Sequence, residues 1–381
     1  MKYVPFGSHG FSVSRLGFGC MRLPTRKEGD STVIDRPQAI AMLRRGIDGG
    51  ITYVDTAYPY HGGESETVVG QALKDGYREK VTLTTKLPIW SVNEEKDMNR
   101  LLDEQLKKLD VPYVDFYLLH AMNKDRLEQM RAFHYKDFFA QALRDGRIKH
   151  PGFSFHDGKD VFVEILNDYD QWGMCQIQYN YLDDGEQATE DGLLAAGRRG
   201  VPVVVMEPLR GGALANPPAD VAELMARNAV RRSPVEWAFS YIADYPQVAT
   251  ILSGMSTMEQ VEDNLRVFDT VTVGGLTDAD RAFIRTLKQA YLSRMPVKCT
   301  GCRYCQPCPQ DVHIPDIFAA YNESKMFDRP GHLAWHYGGM IKREQDASRC
   351  VQCGACEAAC PQQLSIIDWL QQIDREYRAA Q

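Results

Sequence analysis

Four polar residues of types suited to proton transfer follow one another in the first third of the chain. Asp55 and Tyr60 lie in DTAYPY, Lys86 ends VTLTTK, and His120 ends VDFYLLH. A phenol titrates near ~10 and donates a proton poorly at neutral pH. A nearby ammonium stabilises the phenolate and lowers that pKa, and a carboxylate keeps the ammonium charged. With an imidazole to orient a carbonyl, this set predicts protonation of an oxygen while a hydride reaches its carbon.

A second chemical signature is the concentration of cysteines near the C-terminus, where two stretches hold eight of the ten. CVQCGACEAACP (350–361) has the C-x2-C-x2-C-x3-C-P spacing in which three thiolates hold one [4Fe–4S] cluster and the fourth reaches another. CTGCRYCQPCP (299–309) is one residue shorter before its last cysteine. Crossover therefore predicts two [4Fe–4S] clusters, with ligand sets Cys299, Cys302, Cys305 and Cys360, and Cys350, Cys353, Cys356 and Cys308.

Two alternatives to electron-carrying clusters stay open. Paired CxxC motifs also build tetrahedral zinc sites of four thiolates, although three closely spaced thiolates suit a cubane face better. Clusters could also act only as staples of a domain too small to be stable unaided. The other two cysteines, Cys20 and Cys175, lie in apolar strand patterns, so we expect buried free thiols rather than metal ligands.

The elements that must position these residues alternate between short apolar runs and amphipathic helical patterns. Eight runs predict strands: RLGFGCM, TYVDTA, VTLTTK, VDFYLLH, HPGFSF, CQIQYN, VPVVVMEP and ATILSG. Helical spacing follows in stretches such as DRPQAIAMLRRGIDGG and NRLLDEQLKKLD. Eight strand–helix units in about 290 residues predict a (β/α)8 TIM barrel, in which the carboxyl ends of the strands meet at the active-site mouth.

A doubly wound open sheet is the alternative fold, but LGFGCMR lacks the GxGxxG phosphate loop usual after its first strand. The N-terminal MKYVPFG…FSVSRLG predicts a hairpin that closes the barrel floor, with its turn at GSHG. The composition shifts near residues 291–296. We therefore expect a barrel domain at 1–292 and a small, mainly helical ferredoxin-like iron–sulfur domain at 293–381.

Composition and charge restrict the partners. The formal net charge of −7 argues against nucleic-acid or anionic-membrane binding, both of which need a basic face. The N-terminus lacks the apolar core of a secretory signal, and no run approaches eighteen apolar residues. We therefore expect a cytoplasmic protein, in a compartment where clustered thiols stay reduced and bind metal.

The whole barrel region resembles the aldo-keto reductase superfamily, since DTAYPYHGGESETVVGQALKD, TTK and LLH follow in that family's order. The resemblance implies NAD(P)H-dependent interconversion of a carbonyl and an alcohol. It makes Tyr60 the proton donor, assisted by Lys86, Asp55 and His120. A recognisable subgroup of the superfamily carries an appended ferredoxin-like domain, and this chain is similar to it from end to end.

The resemblance also implies where NADPH or NADH would lie. Phe155 and Met206 depart from the asparagine and the ring-stacking tyrosine usual there, and Gly254 and Gln260 replace a lysine and an arginine that bind the 2′-phosphate in many NADPH-dependent members. Losing those cations makes NADH a live alternative, unless Arg266 or Arg210 substitutes. The implied cofactor-binding residues are Gly19, Cys20, Met21, Asp55, Ser154, Gln176, Met206, Leu209, Gly211, Gly212 and Asn264.

A nicotinamide transfers two electrons as one hydride, whereas each cluster accepts one electron at a time. The clusters therefore either serve an external redox partner, such as a ferredoxin or a flavoprotein, or stabilise the fold. The alternative function belongs to another class: the chain would be an electron-transfer protein that uses the barrel as a scaffold or to dock a redox partner. We expect a small carbonyl or alcohol substrate, whose identity depends on loops such as HAMNKDRLEQ.

Overall fold

The computed structural model describes residues 1–381 and divides them into two compact units. The first comprises Met1–Gly212 and Val235–Arg281, and the second comprises Ala213–Pro234 and Ala282–Gln381. The boundary expected after residue 292 stays a prediction, because it concerns where two domains would fold independently.

The first unit is built on a closed barrel of eight parallel strands. In chain order, its twelve strands are β1 (Tyr3–Pro5), β2 (Ser12–Ser14), β3 (Leu16–Gly19), β4 (Thr25–Glu28), β5 (Ser31–Ile34), β6 (Tyr53–Asp55), β7 (Thr82–Leu87), β8 (Val114–Met122), β9 (Ile148–Phe155), β10 (Met174–Gln178), β11 (Val203–Met206) and β12 (Val248–Gly254). The barrel runs β3-β6-β7-β8-β9-β10-β11-β12 and closes on β3. The predicted (β/α)8 fold class is confirmed.

Helices connect the barrel strands, and further helices form the second unit. They are α1 (Arg36–Asp48), α2 (Ser65–Ala72), α3 (Lys96–Leu109), α4 (Lys124–Ala132), α5 (Tyr135–Arg144), α6 (Lys159–Asp168), α7 (Thr189–Arg198), α8 (Ala219–Arg227), α9 (Pro234–Ala243), α10 (Met258–Thr270), α11 (Asp278–Ser293), α12 (Ile314–Met326), α13 (Pro330–Lys342), α14 (Ala355–Ala358) and α15 (Ile366–Ala379). Some of these helices begin with a side-chain cap: the Asp35 carboxylate accepts the Gln38 N–H before α1, and the Thr257 hydroxyl accepts the Gln260 N–H before α10.

The alternation of side chains along the strands separates two apolar layers. Tyr53, Phe116 and Leu118 lie in a buried cluster inside the barrel, together with Phe6 and Val13 from the antiparallel β1–β2 hairpin at its floor. The intervening strand residues belong to the larger core that the helices cover. The same period of two places Asp55, Lys86 and His120 on the interior side at the carboxyl ends of β6, β7 and β8.

The second unit has its own apolar core beneath the cysteine segments. Val312, Ile317, Tyr321, Tyr337 and Leu370 are buried in one cluster, and six of the eight clustered cysteines pack against it. Helices α12, α13 and α15 contribute most of this core, as the predicted mainly helical domain requires. In neither unit is any helix long and apolar enough to cross a membrane.

Candidate active site

The four residues predicted for proton transfer converge at the carboxyl ends of three adjacent barrel strands. Asp55 is the last residue of β6, Lys86 lies in β7, and His120 lies in β8. Tyr60 begins the short turn that follows β6. Because β6, β7 and β8 are hydrogen-bonded neighbours, the barrel brings together residues up to 65 positions apart in the chain.

Lys86 is the centre of this group. Its Nζ donates to Asp55 Oδ1 at 2.6 Å, to the Thr56 carbonyl oxygen at 2.8 Å and to Tyr60 Oη at 3.3 Å. These three contacts match the three N–H donors of an ammonium group. The Lys86 and Asp55 side chains are only 1% and 3% exposed, so water does not screen their charges.

Burial and the Lys86–Asp55 pair oppose each other in setting the pKa values. Burial raises the pKa of Tyr60 above 10, and the attraction of Lys86 offsets this only in part. Burial by itself would lower the pKa of Lys86, but Asp55 and Tyr60 together raise it. The expected influence of Lys86 on Tyr60 is present, but the net pKa of the free phenol is higher than we expected. Tyr60 is therefore a neutral phenol beside a charged ammonium at neutral pH.

His120 completes one wall of the group. Its ring is in edge-to-face contact with the Tyr60 ring, with centroids 6.1 Å apart. Burial, with the nearby charge of Lys86, lowers the pKa of His120 to about 2, so the imidazole is neutral. Its Nδ1 is buried without a hydrogen-bond partner. A neutral imidazole can donate one hydrogen bond to a substrate oxygen without transferring its own proton.

A buried polar network that the sequence analysis missed supports the strand carrying Lys86. Gln105 Nε2 donates to the Lys86 carbonyl oxygen at 3.0 Å and to Glu66 Oε1 at 2.5 Å. Glu66 Oε1 also accepts from the Thr85 hydroxyl at 2.6 Å, and Gln105 Oε1 accepts from the Tyr117 hydroxyl at 2.6 Å. Both Glu66 and Gln105 are fully buried. The only sequence signal was two polar residues on the apolar faces of α2 and α3.

The residues predicted to contact the nicotinamide lie on the next strands around the mouth. Gln176 on β10 is paired in register with Ser154 on β9, and Gln178 is paired with Met206 on β11. Gln176 Nε2 lies 3.8 Å from Met206 Sδ, and its buried Oε1 has no hydrogen-bond partner. A buried amide oxygen without a donor is costly, and the N–H of a carboxamide would satisfy it. These residues therefore fit a nicotinamide.

The loop after β11, where the sequence predicts a contact with the pyrophosphate, contains two glycines in the left-handed region. Gly211 and Gly212 both have positive φ, 61° and 86°, which glycine adopts without a Cβ clash. The Gly211 N–H donates to Glu207 Oε2 at 2.6 Å, and Leu209 packs against the barrel core. Glu207 also lies 4.0 Å from an Arg22 guanidinium nitrogen. The loop thus holds an ion pair that the sequence analysis did not predict.

The remaining predicted cofactor residues lie on the other side of the mouth. Gly19 ends β3, where it is paired with both Asp55 and Gly254. Cys20 is buried and Met21 is 55% exposed. Asn264 on α10 is buried and donates from Nδ2 to the Ser253 hydroxyl at 2.9 Å. Asn264 is therefore already engaged with the end of β12.

Comparison with known proteins decides the family to which this barrel belongs. Residues 15–274, well over half of the chain, match the aldo/keto reductase family. The chain belongs to the aldo/keto reductase family. The predicted resemblance is confirmed, and this aldo/keto reductase is an NAD(P)H-dependent oxidoreductase.

Three similar proteins show the range of this family. The methylglyoxal reductase YeaE of Escherichia coli (strain K12) is 32% identical over 229 residues, 57% of this chain and 76% of its own. The NADH-specific methylglyoxal reductase of the same strain is 26% identical over 339 residues, 76% of this chain and 99% of its own. A crystal structure of an aldo-keto reductase from Klebsiella pneumoniae in complex with NADPH has a TM-score of 0.60 and 25% identity, and the match covers 75% of this chain and 95% of that one.

The cysteines of this aldo/keto reductase line two cavities in its second unit. One cavity is lined by Cys299, Cys302, Cys305 and Cys360. The other is lined by Cys305, Cys308, Cys350, Cys353 and Cys356. Cys308 and Cys360 each lie with the cysteines of the other motif, as crossover requires, and Cys305 borders both cavities. The individual ligand assignments stay predictions.

The environment of these cavities fits clusters. Apolar side chains such as Ile314, Phe318 and Leu370 complete the walls. Residues 298–366 match the 4Fe-4S dicluster domain. The predicted iron–sulfur domain is confirmed, and the nicotinamide and [4Fe–4S] cofactors are the ones that this architecture uses.

Proposed function

We infer that this aldo/keto reductase reduces an aldehyde or ketone to an alcohol, or catalyses the reverse reaction, with Tyr60 as the proton donor. The observation that carries this proposal is Lys86, whose Nζ contacts both Asp55 Oδ1 at 2.6 Å and Tyr60 Oη at 3.3 Å. A buried ammonium in contact with a phenol has an evident use, because it stabilises the phenolate that remains after proton transfer.

Each residue has a separate task in this mechanism. Tyr60 delivers its phenolic proton to the carbonyl oxygen, and Lys86 holds the resulting negative charge. Asp55 keeps Lys86 charged and fixes its position. His120, which stays neutral, donates a hydrogen bond that orients the carbonyl oxygen towards Tyr60. The nicotinamide, held by Ser154 and Gln176, supplies the hydride when it is bound.

We propose that NADH serves at least as well as NADPH, and the positions of the chain's own cations support this. Gln260, at one of the two positions where many relatives have a cation, accepts the Ser256 N–H at 2.7 Å, and Arg266 is paired with Asp263 at 2.7 Å. The stem of Arg22 passes over Gly254, but its guanidinium end lies beside Gly211, in the predicted pyrophosphate loop. None of these arrangements offers a 2′-phosphate a free cation.

The nucleotide proposal is tested by comparing kcat/KM for NADH and NADPH at equal ionic strength. We expect a ratio of NADH to NADPH of one or more. As a matched variant, Gln260→Arg restores one of the missing cations and should improve NADPH about tenfold while leaving NADH unchanged. A large NADPH preference in the unmodified protein would contradict the proposal.

One observation favours an electron-transfer role for the clusters. In the cavity lined by Cys350, Cys353 and Cys356, Cys353 is exposed, and its neighbours Tyr304 and Val351 are 68% and 61% exposed. A cluster held there would lie close to solvent, where an external one-electron carrier such as a ferredoxin or a flavoprotein could approach it. The second candidate function is therefore electron transfer with the barrel as a scaffold.

Tyr60→Phe discriminates between the two functions. The substitution removes the proton donor and keeps the ring, so we expect carbonyl reduction to fall by about 10²–10⁴-fold. Iron content and the visible spectrum of the clusters should not change. If Tyr60→Phe reduces a broad panel of aldehydes and ketones at the original rate, the barrel is not the catalyst we propose.

A further inference from the structure

The wall of the mouth next to His120 is an aromatic surface that the mechanism does not use. Trp90 lies in the turn after β7, and its ring centroid is 5.0 Å from that of His120. His120 in turn contacts Tyr60. Trp90 is 47% exposed, which is unusual for so large an apolar side chain. A substrate held between Tyr60 and His120 would therefore extend along the exposed part of the Trp90 ring, towards the side chains around it.

Arg126 lies over the Trp90 ring. It belongs to α4, and its guanidinium carbon is 5.5 Å from the centroid of the Trp90 ring. One guanidinium N–H is donated to the Ala121 carbonyl oxygen. No carboxylate forms an ion pair with Arg126, whereas Arg131 on the same helix binds Glu128, Glu164 and Asp168.

Glu207, the acidic residue that follows β11 at this mouth, does not pair with Arg126 because it binds other groups. Glu207 accepts the Gly211 N–H at 2.6 Å and faces Arg22. Arginine has five N–H donors in a planar fork that matches a carboxylate, and most of those of Arg126 have no protein acceptor. A charged guanidinium without a counter-ion, near the catalytic imidazole, is a site for an anion.

We propose that the substrate is a carbonyl compound that also carries a carboxylate, with the carboxylate on Arg126, the carbon skeleton on Trp90 and the carbonyl between Tyr60 and His120. This inference rests on the proposed carbonyl reduction and specifies its substrate class. In the reaction, the carbonyl carbon gains a hydride from NAD(P)H and the oxygen gains the Tyr60 proton, which solvent later restores. NAD(P)+ and a hydroxy acid leave, and the carboxylate is unchanged.

Arg126 also has a structural contact that the test must separate from substrate binding. Ala121, whose carbonyl it binds, has a φ of 54° and lies where the pairing of β8 with β9 shifts register. Removing the side chain could therefore disturb His120 and slow every substrate. Only a change in the ratio of anionic to neutral substrates reports on carboxylate binding.

The experiment uses the full-length protein with its clusters and two matched pairs of substrates: 4-oxobutanoate with butanal, and 4-carboxybenzaldehyde with benzaldehyde. We expect the unmodified protein to favour the anionic member of each pair. Arg126→Met should lower kcat/KM for the anionic members about ten- to hundredfold more than for the neutral ones, chiefly through KM. Arg126→Lys keeps the charge without the fork and should recover part of this loss.

A matched control removes the same charge elsewhere. Arg144 is exposed at the end of α5, just before the amino end of β9 and therefore at the opposite end of the barrel from the mouth. Arg144→Met should leave the ratio unchanged. Succinate should inhibit the unmodified protein, and Arg126→Met should abolish that inhibition.

The outcomes separate the two proposals. If the unmodified protein reduces none of the four aldehydes with either nucleotide, the proposed carbonyl reduction fails. The carboxylate inference is wrong if kcat/KM for the neutral aldehydes equals or exceeds that for the anionic ones. It is also wrong if Arg126→Met slows both members of a pair equally. In either case carbonyl reduction stands.

Discussion

At the scale of single residues, the active site balances burial against charge. Burial makes ionisation of Tyr60 unfavourable, yet in the mechanism that we propose the contact with Lys86 stabilises the charge that forms after proton transfer. Asp55 provides the compensating anion, which keeps Lys86 protonated in spite of its burial. On this proposal, the phenol holds its proton until a substrate oxygen accepts it. Burial also keeps the His120 imidazole neutral, because it lowers the pKa of that group.

These pKa directions predict the pH profile of carbonyl reduction. His120, with a pKa of about 2, stays neutral throughout the physiological range, so kcat should show no acid limb near pH ~6.5, where an ordinary histidine titrates. Because the pKa values of Tyr60 and Lys86 are both raised, the alkaline loss should begin only above pH ~10. Initial rates at saturating substrate, corrected for nicotinamide decay in acid, measure this profile. An acid limb near pH ~6.5 that disappears in His120→Asn would contradict the assignment.

At the scale of secondary-structure elements, the sequence predicts the barrel strands, because each strand is encoded by a local pattern. All eight barrel strands fall within or beside the apolar runs, because each run is β-branched or aromatic and suits a strand buried on both faces. The order of DTAYPY, TTK and LLH along the chain was sufficient to predict that Asp55, Lys86 and His120 lie at one mouth of the barrel. Trp90 and Arg126 could not be assigned to that mouth, because their position depends on how a turn and a helix pack in three dimensions.

The network between α2, α3 and β7 predicts an effect on catalysis from a residue that touches no substrate. Gln105→Leu removes the donor to the Lys86 carbonyl and leaves Glu66 and the Tyr117 hydroxyl without that partner. We expect the free energy of unfolding to fall by about 1–3 kcal/mol. We also expect kcat to fall more than KM changes, because Lys86 would no longer be held against Tyr60.

A control separates this positioning effect from a general loss of stability. Gln71, on the exposed face of α2, makes no contact with the network, so Gln71→Leu should change the free energy of unfolding by less than about 0.5 kcal/mol. Denaturant titrations measure both changes. If Gln105→Leu loses stability and keeps the full kcat at a temperature where it is folded, the network has no role in positioning Lys86.

At the scale of the whole molecule, the chain separates two kinds of redox chemistry into two compact units. The barrel has a hydride site that needs no thiol, since both of its cysteines are buried and the pKa of each thiol is raised by burial. The second unit concentrates the other eight cysteines around two cavities. The sequence predicted the cysteine-rich unit because its ligand spacing is local. The sharing of cysteines between motifs stays a prediction from the ferredoxin pattern, because two loops must fold against each other to produce it.

The final prediction concerns crossover, in which the last cysteine of each motif ligates the cluster of the other motif. Cys360 belongs to the second motif but lines the cavity of Cys299, whereas Cys308 belongs to the first motif and lines the cavity of Cys350. Cys360→Ser should therefore perturb the same cluster as Cys299→Ser, and Cys308→Ser the same cluster as Cys350→Ser. Electron paramagnetic resonance of dithionite-reduced protein, with iron analysis, compares the four variants, and the buried Cys175→Ser is the control that keeps both clusters. Pairing of Cys360 with Cys350 instead would mean that each motif holds its own cluster.

The same four variants leave Tyr60 and Lys86 untouched. The rate of carbonyl reduction in variant protein that stays folded therefore shows whether the hydride site works without an intact pair of clusters.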